Sequence, residues 1–114
     1  MMKSETRDVG DVRIIELSGK ITIGSGDVKM REIISAALDE GRSKLLLDLS
    51  GVAAIDSSGI GEMVACYTTV TKRGGQLKLM RLSKKITDIL HVTQLITVFD
   101  VFDDEAEALT HMTR

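Results

Sequence analysis

The chain has 114 residues, a formal net charge of -2 and a hydrophobic content of 43%. This length fits one domain, and the composition is that of a globular protein rather than a disordered one. The slightly acidic charge disfavours nucleic acid as a direct partner, and no apolar run approaches the roughly 20 residues of a membrane-spanning helix.

The cysteine and histidine residues limit which disulfides and metal sites the chain could form. The single cysteine, Cys66, cannot form an intrachain disulfide, which favours a reducing compartment. The two histidines, His91 and His111, lack the spacing of metal ligands. The first twelve residues lack the apolar segment of a signal peptide. We therefore expect a cytoplasmic protein without a metal site and without membrane insertion.

The first part of the sequence predicts a β-hairpin. Thr6–Val9 and Val12–Leu17 flank Gly10-Asp11, a pair that suits a tight two-residue turn. Gly19 is predicted to end the second strand. The fold is therefore expected to begin with two antiparallel strands.

A loop over residues 20–26 is predicted to lead into the first helix. Ser25 and Asp27 supply the hydroxyl and carboxylate that are typical of a helix start, and Gly41 suits a helix end. The apolar residues between them recur at intervals of three and four, which predicts an amphipathic helix. These residues are Met30, Ile33, Ile34, Ala37 and Leu38.

A buried strand, a turn and a second helix follow. Lys44–Ser50 contains a short continuous apolar run, which predicts a strand covered on both faces. After the turn, apolar residues again recur at helical spacing until Gly74-Gly75 ends the helix. They are Ile60, Met63, Val64, Tyr67 and either Val70 or Thr71.

The last third of the chain predicts two further strands and two helices. Gln76–Leu82 alternates as a strand, Ser83 begins a short helix, and Thr97–Phe102 is the last predicted strand before three acids at 103–105 open a final helix. The predicted order is ββαβαβαβα. Because strands alternate with helices, we expect an α/β fold whose mixed central sheet of about five strands has an antiparallel N-terminal hairpin, a parallel centre and four helices.

The turn Asp56-Ser57-Ser58-Gly59-Ile60-Gly61 is the segment most indicative of function. It lies between the buried strand and the second helix, at the carboxyl edge of the predicted sheet, where function concentrates in α/β folds. Asp56, Ser57 or Ser58 can cap the helix, whereas Gly59 and Gly61 each cost up to about 1 kcal/mol relative to alanine. That cost indicates a sharp turn or a partner that approaches the backbone closely.

Four interpretations of this turn are open. It is a helix cap alone, a phosphate-binding loop, a site with a nucleophilic serine, or a serine that accepts a phosphoryl group from another protein. The pattern G-x-x-x-x-G-K-[ST] is absent, and Ser57 lacks both the G-x-S-x-G context and a histidine partner, so we expect no enzymatic activity. A phosphoryl group would add about -1.5 to -2 charges beside Asp56, which suits a binding switch.

At the level of motifs, the sequence resembles the STAS-domain anti-sigma factor antagonists, also called anti-anti-sigma factors. The segment LLLDLSGVAAIDSSGIGEMV is similar to that family's hydrophobic strand, D-L-S motif and D-S-[SA]-G-[LI]-G motif. IIELSGKI, KRGGQLKLM and DEAEAL support the resemblance, which covers nearly the whole chain. It implies a single STAS domain over residues 1–114, in a bacterial protein that regulates transcription.

The resemblance also implies a phosphorylation switch. In the family, an anti-sigma factor that is a serine kinase phosphorylates the serine directly after the aspartate, here Ser57, with Ser58 as the alternative. The unphosphorylated form binds the anti-sigma factor serine kinase and frees a sigma factor, phosphorylation breaks the complex, and a PP2C-type phosphatase restores it. The nucleotide belongs to the kinase, so no cofactor is expected in this chain. The residues predicted to bind the partner are Ile21, Thr22, Ile23, Asp56, Ser57, Ser58, Gly59, Ile60, Gly61 and Glu62.

An apolar patch with polar edges is predicted next to Ser57. Its members would be Ile21, Ile23, Ile60, Glu62, Cys66 and Thr69. The alternative is that Ile21 and Ile23 simply pack inward.

Thr22 departs from the family pattern. Many members carry an aspartate three residues after the glycine that ends the second strand, and Thr22 takes that place here. Asp27 could supply the carboxylate from a different position. The departure leaves room for a second function, a constitutive STAS scaffold subunit of a transporter or sensory complex in which Ser57 is only a helix cap.

Overall fold

The structure, a computed structural model, describes residues 2–112. Its elements follow the predicted order ββαβαβαβα, with a short 3-10 helix, Leu95–Thr97, added before the last strand. The elements are β1 (Lys3–Val9), β2 (Val12–Ile21), α1 (Asp27–Asp39), β3 (Lys44–Ile55), α2 (Ser57–Lys72), β4 (Gln76–Met80), α3 (Lys84–Val92), β5 (Val101–Phe102) and α4 (Glu105–Met112).

The strands form one mixed sheet with the spatial order β1-β2-β3-β4-β5. β1 pairs with β2 in the antiparallel sense, whereas the β2–β3, β3–β4 and β4–β5 pairs are parallel. The predicted α/β class, with an antiparallel hairpin and a parallel centre, is therefore confirmed. The carboxyl ends of β2 and β3 meet at one edge, where Ile21 pairs with Ile55.

Helices cover the two faces of the sheet unequally. Side chains of α1, α2 and α3 join the larger apolar cluster with Leu45, Leu47 and Leu49 of β3, while α4 covers a smaller cluster around Ile14 and Leu46 on the opposite face. Residues 45–49 are buried throughout, as predicted for a strand covered on both sides. The first half of β3 is therefore buried between two layers, and α2 follows directly after the strand ends.

The two central strands extend further than the sequence predicted. β2 runs to Ile21 instead of ending at Gly19, and β3 runs to Ile55 instead of Ser50. The pairing register between β2 and β3 shifts on both sides of Ser18 and Gly19, and Gly19 adopts a φ of 96°. Gly19 therefore accommodates an irregularity inside a strand rather than a strand end.

The other strand boundaries also differ from the prediction. β1 begins at Lys3, three residues before the predicted Thr6, because it pairs with β2 along its whole length. β4 ends at Met80, since Arg81 turns the chain with a φ of 57°. Most of the predicted strand over 97–102 is irregular, and only Val101 and Phe102 pair with β4.

The first helix begins without the predicted side-chain cap. Its N-cap residue is Gly26, which offers no side chain, and neither Ser25 nor Asp27 takes that place. Instead, the Asp27 carboxylate accepts hydrogen bonds from the backbone N–H groups of Gly24 (3.1 Å) and Val28 (2.8 Å). Asp27 thus stabilises the turn that leads into α1.

Within residues 2–112, none of the helices has the length and apolar character needed to cross a membrane. Over the same residues, no group of three or more His, Cys, Asp or Glu side chains is arranged to hold a metal ion.

Candidate partner-binding site at the start of helix α2

The segment singled out in the sequence, Asp56 to Gly61, leads directly from β3 into α2. Asp56 lies between the last residue of β3 and the first residue of α2, and its backbone is extended (φ -110°, ψ -174°). Ile60 N–H donates to the Asp56 carbonyl at 2.9 Å, which is the first hydrogen bond of the helix. The turn therefore sits at the carboxyl edge of the parallel strands, as its sequence position predicted.

The Asp56 carboxylate links two segments of this edge. One oxygen accepts from Gly59 N–H at 2.9 Å and caps α2, while the other accepts from Ile23 N–H at 3.0 Å in the loop after β2. These hydrogen bonds, first from Gly59 and then from Ile23, lower the pKa of Asp56, because both favour the ionised carboxylate. Asp56 is thus the cap among the three candidates, and it also fixes the neighbouring loop.

Gly59 allows the helix to approach the end of β2. It is buried, and a Cβ atom built on it would overlap the carbonyl oxygen of Ile21 and crowd the Ile55 side chain. The packing of α2 against β2 therefore explains this glycine without any partner.

Gly61 has no such packing role. It is exposed, and a Cβ atom built on it would meet nothing within 4 Å. Its φ lies outside the left-handed region, so alanine would fit the backbone as well as glycine does. The fold leaves the glycine at position 61 unexplained.

The two serines of the turn differ in exposure. Ser57, the first residue of α2, is exposed, whereas Ser58 is half-buried. Unpaired backbone N–H groups and the helix dipole give the first turn of a helix a partial positive charge. An anionic group on Ser57 would therefore be compatible with the helix start.

The three residues that end β2 and begin the next loop point in different directions. Ile21 is fully buried in the larger apolar cluster, so its side chain does not belong to the predicted surface patch, and its contact with a partner stays a prediction. Thr22 is half-buried, and its carbonyl accepts from Ser25 N–H at 2.9 Å. Ile23, by contrast, is 74% exposed. The inward alternative is therefore confirmed for Ile21 and wrong for Ile23.

The predicted patch does not extend along α2 as expected. Cys66 is only 4% exposed and belongs to the larger apolar cluster, because α1 packs beside α2 and covers this side of the helix. Burial, with the nearby charge of Glu62, raises the pKa of the Cys66 thiol to about 12. Glu62 is half-buried and pairs with Arg31 of α1 at 3.2 Å, while Thr69 is exposed.

Sequence reasoning missed an apolar groove between α2 and α3. Ser57, Ile60 and Gly61 form its α2 wall, Ile89 and Thr93 its α3 wall, and its volume is about 380 Å³. Val92, between the two residues of the α3 wall in sequence, is 85% exposed. The sequence signal available for this groove was Val92, an apolar residue of the short α3 helix. Ile86 and Leu90 already supply the buried side of that helix, so a further apolar residue indicates an exposed apolar surface.

Comparison with known proteins supports a family assignment. The sequence profile of the STAS domain matches residues 3–108. The chain is 30% identical over 87 residues to the anti-sigma-B factor antagonist of Bacillus subtilis, covering 76% of this chain and 78% of that protein. It is 24% identical over 101 residues to the anti-sigma F factor antagonist of Paenibacillus polymyxa, covering 89% and 86%.

A solved structure shows the same fold. An anti-sigma factor antagonist from Mycobacterium paratuberculosis superposes with a TM-score of 0.88 at 21% identity, over 100% of this chain and 96% of the other. Three observations indicate a STAS domain: the motif at the start of α2, the five-stranded mixed sheet and the profile match. The chain belongs to the STAS domain family, and its relatives named above are anti-sigma factor antagonists.

Proposed function

We propose that the chain is a cytoplasmic, non-enzymatic anti-sigma factor antagonist. Its unphosphorylated form binds an anti-sigma factor that is a serine kinase, and this binding frees a sigma factor. Phosphorylation of Ser57 abolishes the binding, and a PP2C-type phosphatase reverses the modification. The observation that carries the proposal is the exposed Ser57 hydroxyl, which stands at the start of α2 next to the capping carboxylate of Asp56.

The chemistry of the switch belongs to the partners. The Ser57 hydroxyl oxygen would attack the γ-phosphorus of ATP bound to the kinase, the bond to the ADP oxygen would break, and the serine proton would pass to a base of the kinase. Water would later attack the phosphorus in the phosphatase, and inorganic phosphate would leave the restored serine. This chain contributes an accessible oxygen at a fixed position.

Electrostatics explains why the modification would act on binding rather than on folding. The new group carries about -1.5 to -2 charges, which the helix start tolerates. At an interface, the same charge would have to be desolvated beside the Asp56 carboxylate, and this costs binding free energy. The modified protein would keep its fold and lose its partner.

The proposal is tested with purified anti-sigma factor serine kinases from the source genome. We expect the unmodified chain and Ser57→Ala to bind one of them by calorimetry, and Ser57→Asp to bind at least about tenfold more weakly, which is 1.4 kcal/mol. Ser43→Asp is the matched control, because Ser43 is exposed and precedes β3 at the opposite end of that strand.

Mass spectrometry after incubation with ATP identifies the modified residue. We expect one phosphoryl group on Ser57, none on the Ser57→Ala variant, and normal modification of Ser58→Ala. Equal binding by the unmodified chain and Ser57→Asp would refute the switch. If no kinase binds or modifies the chain, the constitutive scaffold function, favoured by the threonine at position 22, takes its place.

A further inference from the structure

Strand β1 forms one edge of the sheet along its whole length. Its seven residues pair with β2 in an unbroken antiparallel register, and no strand lies on its other side. Within the part of the chain from residue 2 to residue 112, the backbone of residues 3–9 makes hydrogen bonds only inside the sheet. The N–H and C=O groups that β1 turns outward are therefore open to a further strand.

β1 lacks most of the features that usually protect the edge of a sheet. The strand at the opposite edge, β5, has only two residues, which leaves little backbone for another strand to pair with. β1 has seven residues, no proline and no bulge against β2. Its protection is charge, because Lys3, Glu5, Arg7 and Asp8 are all exposed. These charges limit which strand can pair with β1.

Three of these charges alternate in sign along one face of the sheet. Arg7 pairs with Ile14, which lies on the α4 side, and side chains alternate along a strand, so Lys3 and Glu5 share that face with Arg7. Glu5 has no ion-pair partner among the described residues. It also lies opposite Glu16 of β2, an unfavourable like-charge pair. A strand that brought a positive side chain beside Glu5 would offset this repulsion.

A second copy of β1 supplies such a side chain. A two-fold axis that passes through Thr6, perpendicular to the sheet, places two β1 strands antiparallel with Glu5 of each copy directly opposite Arg7 of the other. The same register opposes the two Thr6 residues, which is a favourable cross-strand pair, and it uses all seven residues. An axis through Glu5 would oppose two carboxylates, and an axis through Arg7 would oppose two guanidinium groups. The charges therefore favour one register over its neighbours.

Arg7 can join this pair without leaving the partner that it already has. Its guanidinium donates to both carboxylate oxygens of Glu105 at the start of α4, and its side chain is 42% exposed. A guanidinium has five N–H donors, so donors remain for a second carboxylate. Glu105 thereby holds Arg7 in an orientation that leaves it accessible at the edge.

We propose that β1 pairs with β1 of a second copy in this register, so that the five strands of each copy join in one continuous sheet. An interface made by one pair of strands is small, and we therefore expect a reversible equilibrium between monomer and dimer. Ser57 follows β3, which is separated from this edge by β2, so the pairing leaves the exposed Ser57 uncovered in both copies. The proposal does not depend on the phosphorylation switch.

Charge reversal tests the pairing in solution, with the dimer measured by sedimentation over a range of concentrations. Glu5→Arg and Arg7→Glu each create two like-charge pairs across the two-fold axis, so each variant should dimerise at least about tenfold more weakly than the unmodified chain. An equimolar mixture of the two variants restores opposite charges at both pairs and should form a mixed dimer. Glu32→Arg, at an exposed position of α1, is the matched control and should dimerise normally. Thermal denaturation verifies that each variant is folded.

A cysteine cross-link tests the register without changing a charge. Directly opposed residues of antiparallel strands have Cα atoms about 4.5–5.5 Å apart, which a disulfide can span. Thr6→Cys should therefore join two copies on oxidation with diamide. Val9→Cys, also exposed, should not, because Val9 lies opposite Lys3 in this register. The native Cys66 is buried and does not compete.

Three results would overturn the proposal. The first is a chain that stays monomeric at every concentration. The second is a dimer that Glu5→Arg does not weaken and that Thr6→Cys does not cross-link, since that dimer uses another surface. The third is a monomeric chain whose binding to an anti-sigma factor serine kinase is weakened by Glu5→Arg, because the edge then receives a strand of that partner. The comparison of Ser57→Asp with the unmodified chain remains a separate test of the proposed function.

Discussion

The carboxylate of Asp56 accepts a hydrogen bond from the backbone N–H of Ile23 at 3.0 Å, across 33 residues of sequence. The same carboxylate caps α2 through Gly59 N–H. The loop that presents the exposed Ile23 side chain is therefore held against the start of the helix that presents Ser57. One acidic residue positions both parts of the proposed binding surface.

Acid should remove the contribution of Asp56 to stability. Because its pKa in the folded protein lies below its value in the unfolded chain, about 3.9, the contribution is present above that value. It is lost as the pH falls through the lower folded value. We expect Asp56→Asn to have a lower urea midpoint than the unmodified chain at pH 7, and the difference to shrink in acid. A difference that stays constant down to pH 2 would contradict this role.

Replacing each of the two glycines of the turn with alanine should change the free energy of unfolding in opposite directions. Gly59→Ala forces a Cβ atom into the carbonyl oxygen of Ile21, so we expect a loss of about 1–3 kcal/mol in the free energy of unfolding. Gly61→Ala adds a methyl group in open space within a helix, so we expect a gain of about 0.5–1 kcal/mol. Urea denaturation of both variants measures the two effects, and a shift of the same sign in both would refute the distinction.

Ile21 and Ile23 should differ in the same assay. Ile21→Ala opens a cavity in the larger apolar cluster, with an expected loss of about 2–5 kcal/mol. Ile23 is largely exposed, so Ile23→Ala should change stability by no more than about 0.5 kcal/mol. If Ile23 contacts the anti-sigma factor kinase, Ile23→Ala will weaken binding while it leaves the denaturation midpoint unchanged. Calorimetry with the same kinase provides that second measurement.

Cys66 should be inert in the folded protein. Its thiol is buried and its pKa is raised to about 12, so little thiolate forms at pH 8. We expect alkylation by iodoacetamide to be at least about a hundredfold slower in the native chain than in 6 M guanidinium chloride, because a thiol with a pKa of about 12 forms far less thiolate at pH 8 than an unfolded cysteine with a pKa of about 8.5. Mass spectrometry over time measures both rates, and equal rates would show that the thiol is accessible.

Short-range patterns in the sequence determined the order of the elements and the location of the candidate site. The apolar spacing of Met30 to Leu38 and of Ile60 to Val70 identified α1 and α2, and the alternation of strands with helices indicated the mixed sheet. Asp56 was recognisable as one of three possible caps because capping needs only a side-chain oxygen within three residues of the N–H group it binds. Each of these features depends on residues close together in the chain.

Contacts between residues that are distant in sequence decided the strand boundaries, the buried positions and the groove. β2 extends past Gly19 because β3 pairs with it as far as Ile55, and Cys66 is buried because α1 lies over it. Gly59 and Gly61 look alike in the motif, yet only Gly59 faces a carbonyl oxygen, which belongs to Ile21 at the end of β2. The groove needs α3 beside α2, and the Ile23 loop needs a carboxylate 33 residues away. Packing and register across the sheet are properties of the assembled layers, so no local pattern in the sequence encodes them individually.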